Sequence, residues 1–387
     1  MAEEKRIPEL RFPDFEGEWE TRRLGNLGQY LGGGTPETSV EEYWQGDIPW
    51  ISSSDISDEG IHEIKKTRFI TKEAISNSAT KLVPKGAILM VSRVGIGKFA
   101  VADEDLCTSQ DFTNLVTHEN EYFLGQYFKA RSKRFIRLSQ GTSIKGFTTG
   151  DIKSAKFLIP KTEEQQKIAS FLAAVDERIR LLQNQKEKLE RYKKGVMQQI
   201  FRQEIRFKQD DGSDYPDWEE RKLGELCAIS KGQQLNKIEL NETGEYPCQN
   251  GGIEPSGFTD KYNTEEDTIT ISEGGNSCGY VNYMESKFWC GGHCYALIEI
   301  RDSVTLSFLY QILKYNQHDI MRLRVGSGLP NIQKRDIVNF KIGIPSTQEQ
   351  QKIAALLSAL DEEINGTAKA VEATQKFKKG LLQKMFV

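Results

Sequence analysis

Apolar positions recur with a seven-residue period through two long stretches of this chain. In the first, Ile168, Val175, Leu182, Leu189 and Val196 repeat every seven residues, and Leu172, Ile179, Lys186, Lys193 and Ile200 form the partner series. Alternating steps of three and four over more than four heptads predict a coiled-coil helix. Roughly 40 residues at a rise of ~1.5 Å each make a rod of about 60 Å. In the second stretch Ile353, Leu357, Leu360, Ile364, Val371, Leu381 and Met385 occupy the same series. Thr367 and Thr374 interrupt it and Asn365-Gly366 is a poor helical pair, so a local weak point is expected there. Thr162 with Gln165, and Thr347 with Gln350, each fit a capping box just after a proline.

Between these stretches the period shortens. Gly86 to Val91 and Phe112 to Val116 are apolar, β-leaning runs bounded by turn residues, and Tyr122 to Leu138 has a helical pattern. A second region repeats the plan with Thr268 to Ile271, Tyr295 to Ile298 and a helix near Ser307 to Arg324. The expected fold class is α+β: two mixed α/β domains joined by two long antiparallel coiled-coil helices.

The chain repeats itself. Glu164-Gln165-Gln166-Lys167-Ile168-Ala169 returns as Glu349-Gln350-Gln351-Lys352-Ile353-Ala354, a shift of 185 residues. From Gly141–Phe201 against Gly326–Phe386, 24 of 61 aligned positions are identical without a gap, far beyond chance. A second repeated piece opens each half: Trp19-Glu20-Thr21-Arg22-Arg23-Leu24-Gly25 resembles Trp218-Glu219-Glu220-Arg221-Lys222-Leu223-Gly224, preceded by Arg11-Phe12 and Arg206-Phe207. That shift is 199, because the intervening stretches are unrelated. The division expected is residues 1–160 and 205–345 for the globular domains, with 161–204 and 346–387 as helical spacers. Two in-register helices in one chain pair most naturally with each other. Such a pair relates the domains by a pseudo-two-fold axis, the symmetry of a two-part DNA site.

The formal net charge of −4 does not advertise a nucleic-acid binder, but its distribution changes the picture. From Lys129 to Lys156 eight basic residues face only Asp151, and Lys314 to Lys341 holds six against Asp319 and Asp336. Phosphate neutralisation needs such a strip. Arg131 and Arg134 in the first half, and Arg322, Arg324 and Lys334 in the second, are its candidate contacts. Glycine-bearing loops adjoin it, with Thr142, Ser143 and Lys145 in one and Ser327 and Asn331 in the other; these side chains suit phosphate or base-edge hydrogen bonds. Thr35, Arg93 and Lys98, and in the second half Gln233, Gln234, Asn250 and Asn276, are further candidates. Arginine to guanine and Asn or Gln to adenine are the bidentate pairings that would make such residues readers.

Catalytic chemistry is missing from the usual places. Arg93-Val94-Gly95-Ile96-Gly97-Lys98 is followed by Phe99, so the P-loop pattern fails. No Pro-Pro dipeptide occurs, which removes the motif expected of a DNA amino-methyltransferase. Asp217 with Glu220-x-Lys222 is spaced too closely for a nuclease. Cys278, Cys290, His293 and Cys294 match no standard zinc spacing, and the histidines form no paired motif. No catalytic or metal site is expected. Six cysteines without a Cys-x-x-Cys pair, no apolar run of membrane length and no apolar segment behind Met1 to Arg6 predict a cytoplasmic chain with free thiols and no membrane partner.

Two Ile-Pro-x-Thr-x-Glu-Gln-Gln-Lys-Ile-Ala segments, each opening a long helix and closing a variable domain, resemble the specificity subunits of type I restriction-modification systems. Gly33-Gly34-Thr35-Pro36, followed by Tyr43-Trp44-x-Gly46-Asp47-Ile48-Pro49-Trp50, looks like one subtype of their target-recognition domain. The resemblance covers essentially the whole chain. It implies that each domain reads one half of a bipartite site on double-stranded DNA, while the helices set the unread spacing. It also implies docking of two adenine-N6 methyltransferase subunits and recruitment of restriction subunits. S-adenosylmethionine, ATP and Mg would then be bound by those partners, with no cofactor in this chain. The competing reading of the residues is a coiled-coil scaffold whose domains bind protein or carbohydrate.

Overall fold

The computed structural model describes residues 6–58, 60–138, 146–326, 328 and 330–387. The chain divides into two compact units, Met1–Leu182 with Ala370–Val387, and Gln183–Lys369. The fold is mixed α and β, with the domain plan used twice.

In the first unit the Glu20–Arg23 strand pairs antiparallel with Lys156–Ile159, so the opening repeat is stitched to the strand that leads into the first long helix. The main sheet runs in the order Gly28–Gly32, Phe112–Thr117, Ile88–Val91, Phe99–Val101, all antiparallel. A smaller sheet sets Ile48–Ile51 parallel to Leu106–Thr108, flanked by Phe69–Ile70 and Leu82–Val83. The second unit repeats the main sheet, and the smaller one with three strands in place of four, from unrelated residues. Glu219–Lys222 pairs with Lys341–Ile344 in the same register as its counterpart. Its main sheet runs Ala228–Lys231, Cys294–Ile298, Thr268–Ser272, Val281–Met284. Tyr246–Gln249 lies parallel to Trp289–Cys290, with Phe258–Thr259 on its other side.

The two helical patterns of the globular regions are each broken once. Glu121–Ala130 ends at Arg131 before Ser132–Leu138, and Leu306–Tyr315 ends at Asn316 before Gln317–Arg322. The long helices span Thr162–Phe201 and Thr347–Met385 without interruption, 40 and 39 residues. The weak point expected at Asn365-Gly366-Thr367 is therefore not a break. Thr367 Oγ1 donates to the Glu363 carbonyl at 2.8 Å, and Thr374 Oγ1 to that of Ala370 at 2.7 Å, so both hydroxyls are satisfied inside the helix.

Each unit buries the start of one long helix and the end of the other. In the first, Ile168 and Leu172 share a core with Leu381, Met385 and Phe386. In the second, Val196 and Ile200 share one with Ile353 and Leu357. Aromatic rings dominate the first core, where Trp19 meets Phe123 and Tyr127, both at 5.9 Å between centroids. Among the described residues no helix is long and apolar enough to cross a membrane. All six cysteines are buried and unpaired.

The expected capping boxes do not form, because both long helices begin at the threonine itself and their glutamines are engaged elsewhere. Gln165 Nε2 donates to Glu119 Oε2 at 2.7 Å and to the Pro160 carbonyl, while its Oε1 accepts from the Asn120 amide. Gln350 does the same with the carbonyls of Ser303 and Pro345 and the Thr305 amide. Each glutamine ties the helix start to its globular region. The preceding glutamates complete the clasp: Glu164 accepts from Arg11 and Trp19, and Glu349 from Arg206 and Trp218.

Candidate nucleic-acid interface

Loops at one end of each main sheet gather many of the polar candidates. In the first unit, turns follow the Gly28–Gly32 and Ile88–Val91 strands, and Ser109–Asp111 precedes Phe112–Thr117. These loops and the segment from Gly146 to Thr149 line a cleft of about 700 Å³. Arg93 is exposed there, and its amide bonds the Asp111 carbonyl; Thr35 is exposed beside the cleft, its hydroxyl donating to Gln110 Oε1. Close backbone approach explains the first glycine of Gly33-Gly34: a Cβ on Gly33 would lie 2.0 Å from the Ser109 carbonyl. Trp50, from the recognised Ile48-Pro49-Trp50 run, donates to the Gly34 carbonyl at 2.9 Å and carries Arg68 over its ring at 4.5 Å. Arg68, which also reaches Ser52 and Asp55, was invisible to sequence reasoning because its partners are more than ten residues away.

The second unit builds the same sheet end differently. Gln233 is exposed beside Gly232, and its amide bonds the Cys290 carbonyl at 2.8 Å. Asn250 Oδ1 accepts from the His293 amide at 3.3 Å. Asn276 is exposed in a turn that contains Gly275 at φ +78°. Asn331 is held by reciprocal backbone bonds with Val325 and bridges to Gly274. Arg324 and Lys334 are exposed on the same connection, and Arg322 pairs with Asp319 at 3.2 Å. Gln234 is exposed next to Gln233, and its side chain donates to the Leu235 carbonyl.

The basic strip is not one surface. Lys129 turns inward to the Gly60 carbonyl at 2.7 Å, and burial with Lys378 nearby pushes its pKa down to about 8. Its counterpart Lys314 bonds the Val281 carbonyl, and burial with Lys193 nearby lowers it likewise to about 8. Arg131, expected on DNA, is committed to the carbonyls of Phe386 and Val387. Arg134 lies over Phe157 at 4.5 Å and bonds the Lys156 carbonyl. Lys98 reaches the Ile56 carbonyl at 3.1 Å and stands 3.6 Å from Asp58. A run of like charges fixes composition but not which face each side chain takes, and these three partly buried side chains are tied to backbone carbonyls of their own unit. Thr142, Ser143, Lys145 and Ser327 lie outside the described residues.

Among the described residues no group of three or more His, Cys, Asp or Glu side chains is placed to hold a metal. The family described as Type I restriction modification DNA specificity domain matches residues 16–191 and 215–373. The chain belongs to this family. The type I restriction enzyme MjaIX specificity subunit of Methanocaldococcus jannaschii is 28% identical over 95% of this chain and 92% of its own. The EcoR124I/EcoR124II specificity subunit of Escherichia coli is 31% identical over 43% of each chain. In fold, the chain is similar to the type I S subunit from M. genitalium, with a TM-score of 0.69 at 22% identity over 98% of this chain and 99% of that one.

Membership places the clasp and the sheet ends in context. This specificity subunit spends its repeated residues on joining globular regions to helices. The sheet-end loops carry different side chains in the two halves: Thr35 and Arg93 in one, Gln233, Asn250 and Asn276 in the other.

Proposed function

We propose that each globular domain of this specificity subunit reads one half of a bipartite, asymmetric site on double-stranded DNA. In this reading the long helices set the number of unread base pairs and dock two methyltransferase subunits, through which restriction subunits join. The chain contributes no catalysis: S-adenosylmethionine, ATP and Mg belong to the partners, and the assembly acts in the cytoplasm as adenine-N6 methyltransferase and ATP-dependent endonuclease.

The observation that carries this reading is a repeated frame around unrepeated loops. Both units have the same strand order in the main sheet and the same Arg–Trp–Glu–Gln clasp. Their sheet ends display Thr35 and Arg93 in one case, Gln233, Asn250 and Asn276 in the other. A two-part site read by direct contact calls for that combination.

The test is to map methylated adenines in DNA from cells that express this subunit with its methyltransferase partner, before and after exchange of Gly28–Phe123 for that of another specificity subunit. Two half-sites are expected, of which the exchange alters one. Alteration of both or of neither refutes the modular reading.

A further inference from the structure

At the sheet end of the second unit a buried carboxylate holds two surface side chains. Glu273 follows the Thr268–Ser272 strand, is 4% exposed, and its Oε2 has no hydrogen-bond partner. Its Oε1 accepts from Lys231 Nζ at 2.6 Å and from the Tyr295 hydroxyl at 2.9 Å. Oε2 lies 3.8 Å from His293 Nδ1. The Lys231 and His293 side chains are 52% and 62% exposed, so the groups it holds face outward although it does not. They stand with Gln233, whose carbonyl accepts from Trp289 Nε1 at 2.7 Å, and with Asn250, bonded to the His293 amide. In the first unit the same strand register carries Ser92, whose hydroxyl donates to the Asp111 carbonyl at 3.0 Å. The position of Glu273 is thus held by serine, and the acidic residue at this sheet end is Asp111, just before the neighbouring strand.

We propose that Lys231 reads a guanine edge in the second half-site and that Glu273 is the positioning residue that orients it. The inference rests on the DNA-reading function proposed above. A buried, partly unpaired carboxylate is costly and needs a compensating role. A lysine paired with it at 2.6 Å is a poor phosphate ligand, because the carboxylate cancels its charge and repels a phosphodiester. The ammonium keeps two N–H donors beyond the one given to Glu273, and guanine presents O6 and N7 as two acceptors in the major groove. Holding a long side chain in place before contact also lowers the ordering cost of binding. The arrangement therefore serves discrimination rather than charge neutralisation.

The experiment uses the full chain assembled with its methyltransferase partner. Duplexes that vary each base pair of the mapped site compete for the wild-type, Lys231→Met and Glu273→Gln complexes, and the salt dependence of each is measured. Lys231→Met should relax preference roughly ten-fold or more at one G·C pair of the second half-site. The first half-site and the salt slope should not change. Glu273→Gln should relax the same position by less. A salt slope reduced by about one would make Lys231 a phosphate contact and overturn the proposal. So would unchanged discrimination in Lys231→Met, or a loss in Glu273→Gln spread evenly over both half-sites. Sequence preference retained intact in both variants sinks this inference alone. A wild-type complex without any preference sinks the DNA-reading function and this inference with it.

Discussion

The first unit closes its main sheet with Ser92, Gln110 and Asp111, while the second places Glu273, Gly292 and His293 in the matching strand registers. None of these pairs is alike. The joints between each globular region and its helices are built from the same residues: Glu164 and Glu349 each take an arginine and a tryptophan, and Gln165 and Gln350 each donate to the carbonyl of the proline five residues before. Asp176 pairs with Lys378 in one unit as Asp361 pairs with Lys193 in the other, and Gln126 and Gln311 each donate to their aspartate at 2.9 Å. Sheet topology tolerates nearly complete replacement of sequence so long as inward positions stay apolar. A joint made of buried charges and amides does not, because each group needs its partner. The repeat is thus a record of which residues hold the frame.

The largest expected break in the equivalence is at the two tryptophans. Trp19 is fully buried among Phe123 and Tyr127, whereas Trp218 is partly exposed beside Phe201 and Phe308. Trp19→Ala should cost about 3–5 kcal/mol and Trp218→Ala visibly less, read by hydrogen exchange in each unit. Equal losses would show that the clasp, not ring burial, carries both. The aspartates should behave alike: Asp176→Asn and Asp361→Asn each leave a partly buried lysine without its counter-ion, at a cost of about 1–3 kcal/mol. Restoration of either unit by pairing the variant with Lys378→Met or Lys193→Met measures how much of that loss is the stranded charge.

The long helices, the duplication and the four strand runs were legible because heptads and short apolar alternation are local signals. Gln165 was misread as a cap because Thr-x-x-Gln has the right spacing; its partners Glu119 and Asn120 are 45 or more residues away. The carbonyl contacts of Arg131, Arg134 and Lys98 were hidden for the same reason, since a charge in sequence carries no direction. The repeated plan of strands and helix was visible, but the strand order was not, because pairings such as the parallel one of Trp50 with Cys107 and of Cys248 with Trp289 are long-range. Lys231 and Glu273 lie 42 residues apart and announced nothing.

Lys129 and Lys314 supply a smaller and symmetric test. Burial holds both folded-state pKa values near 8 against an ordinary 10.5, so between about pH 8 and 10.5 the unfolded chain carries more protons. Stability should therefore rise with pH through that window and be flat below it, by on the order of 1 kcal/mol per lysine after allowance for partial exposure. Urea midpoints at pH 7.5 and 9.5 check this. Lys129→Met should remove the rise in the first unit only, and Lys314→Met in the second only.

The smallest effect separates the two long helices. Position 366 holds glycine where the first helix holds Leu181, yet both helices run through without a break. A Cβ at Gly366 would meet nothing within 4 Å, so neither packing nor backbone approach requires glycine there. Gly366→Ala should stabilise the second unit by about 0.5–1 kcal/mol, the difference in intrinsic helix propensity. Gly195 and Gly380, equally open, are the matched controls. If Gly366→Ala instead lowers methylation in the assembled complex while Gly195→Ala does not, the glycine serves a partner that lies against that turn of the helix. An equal gain at Gly366 and Gly195, with methylation intact, makes it ordinary helix surface and leaves the sheet ends as the place where the halves differ in function.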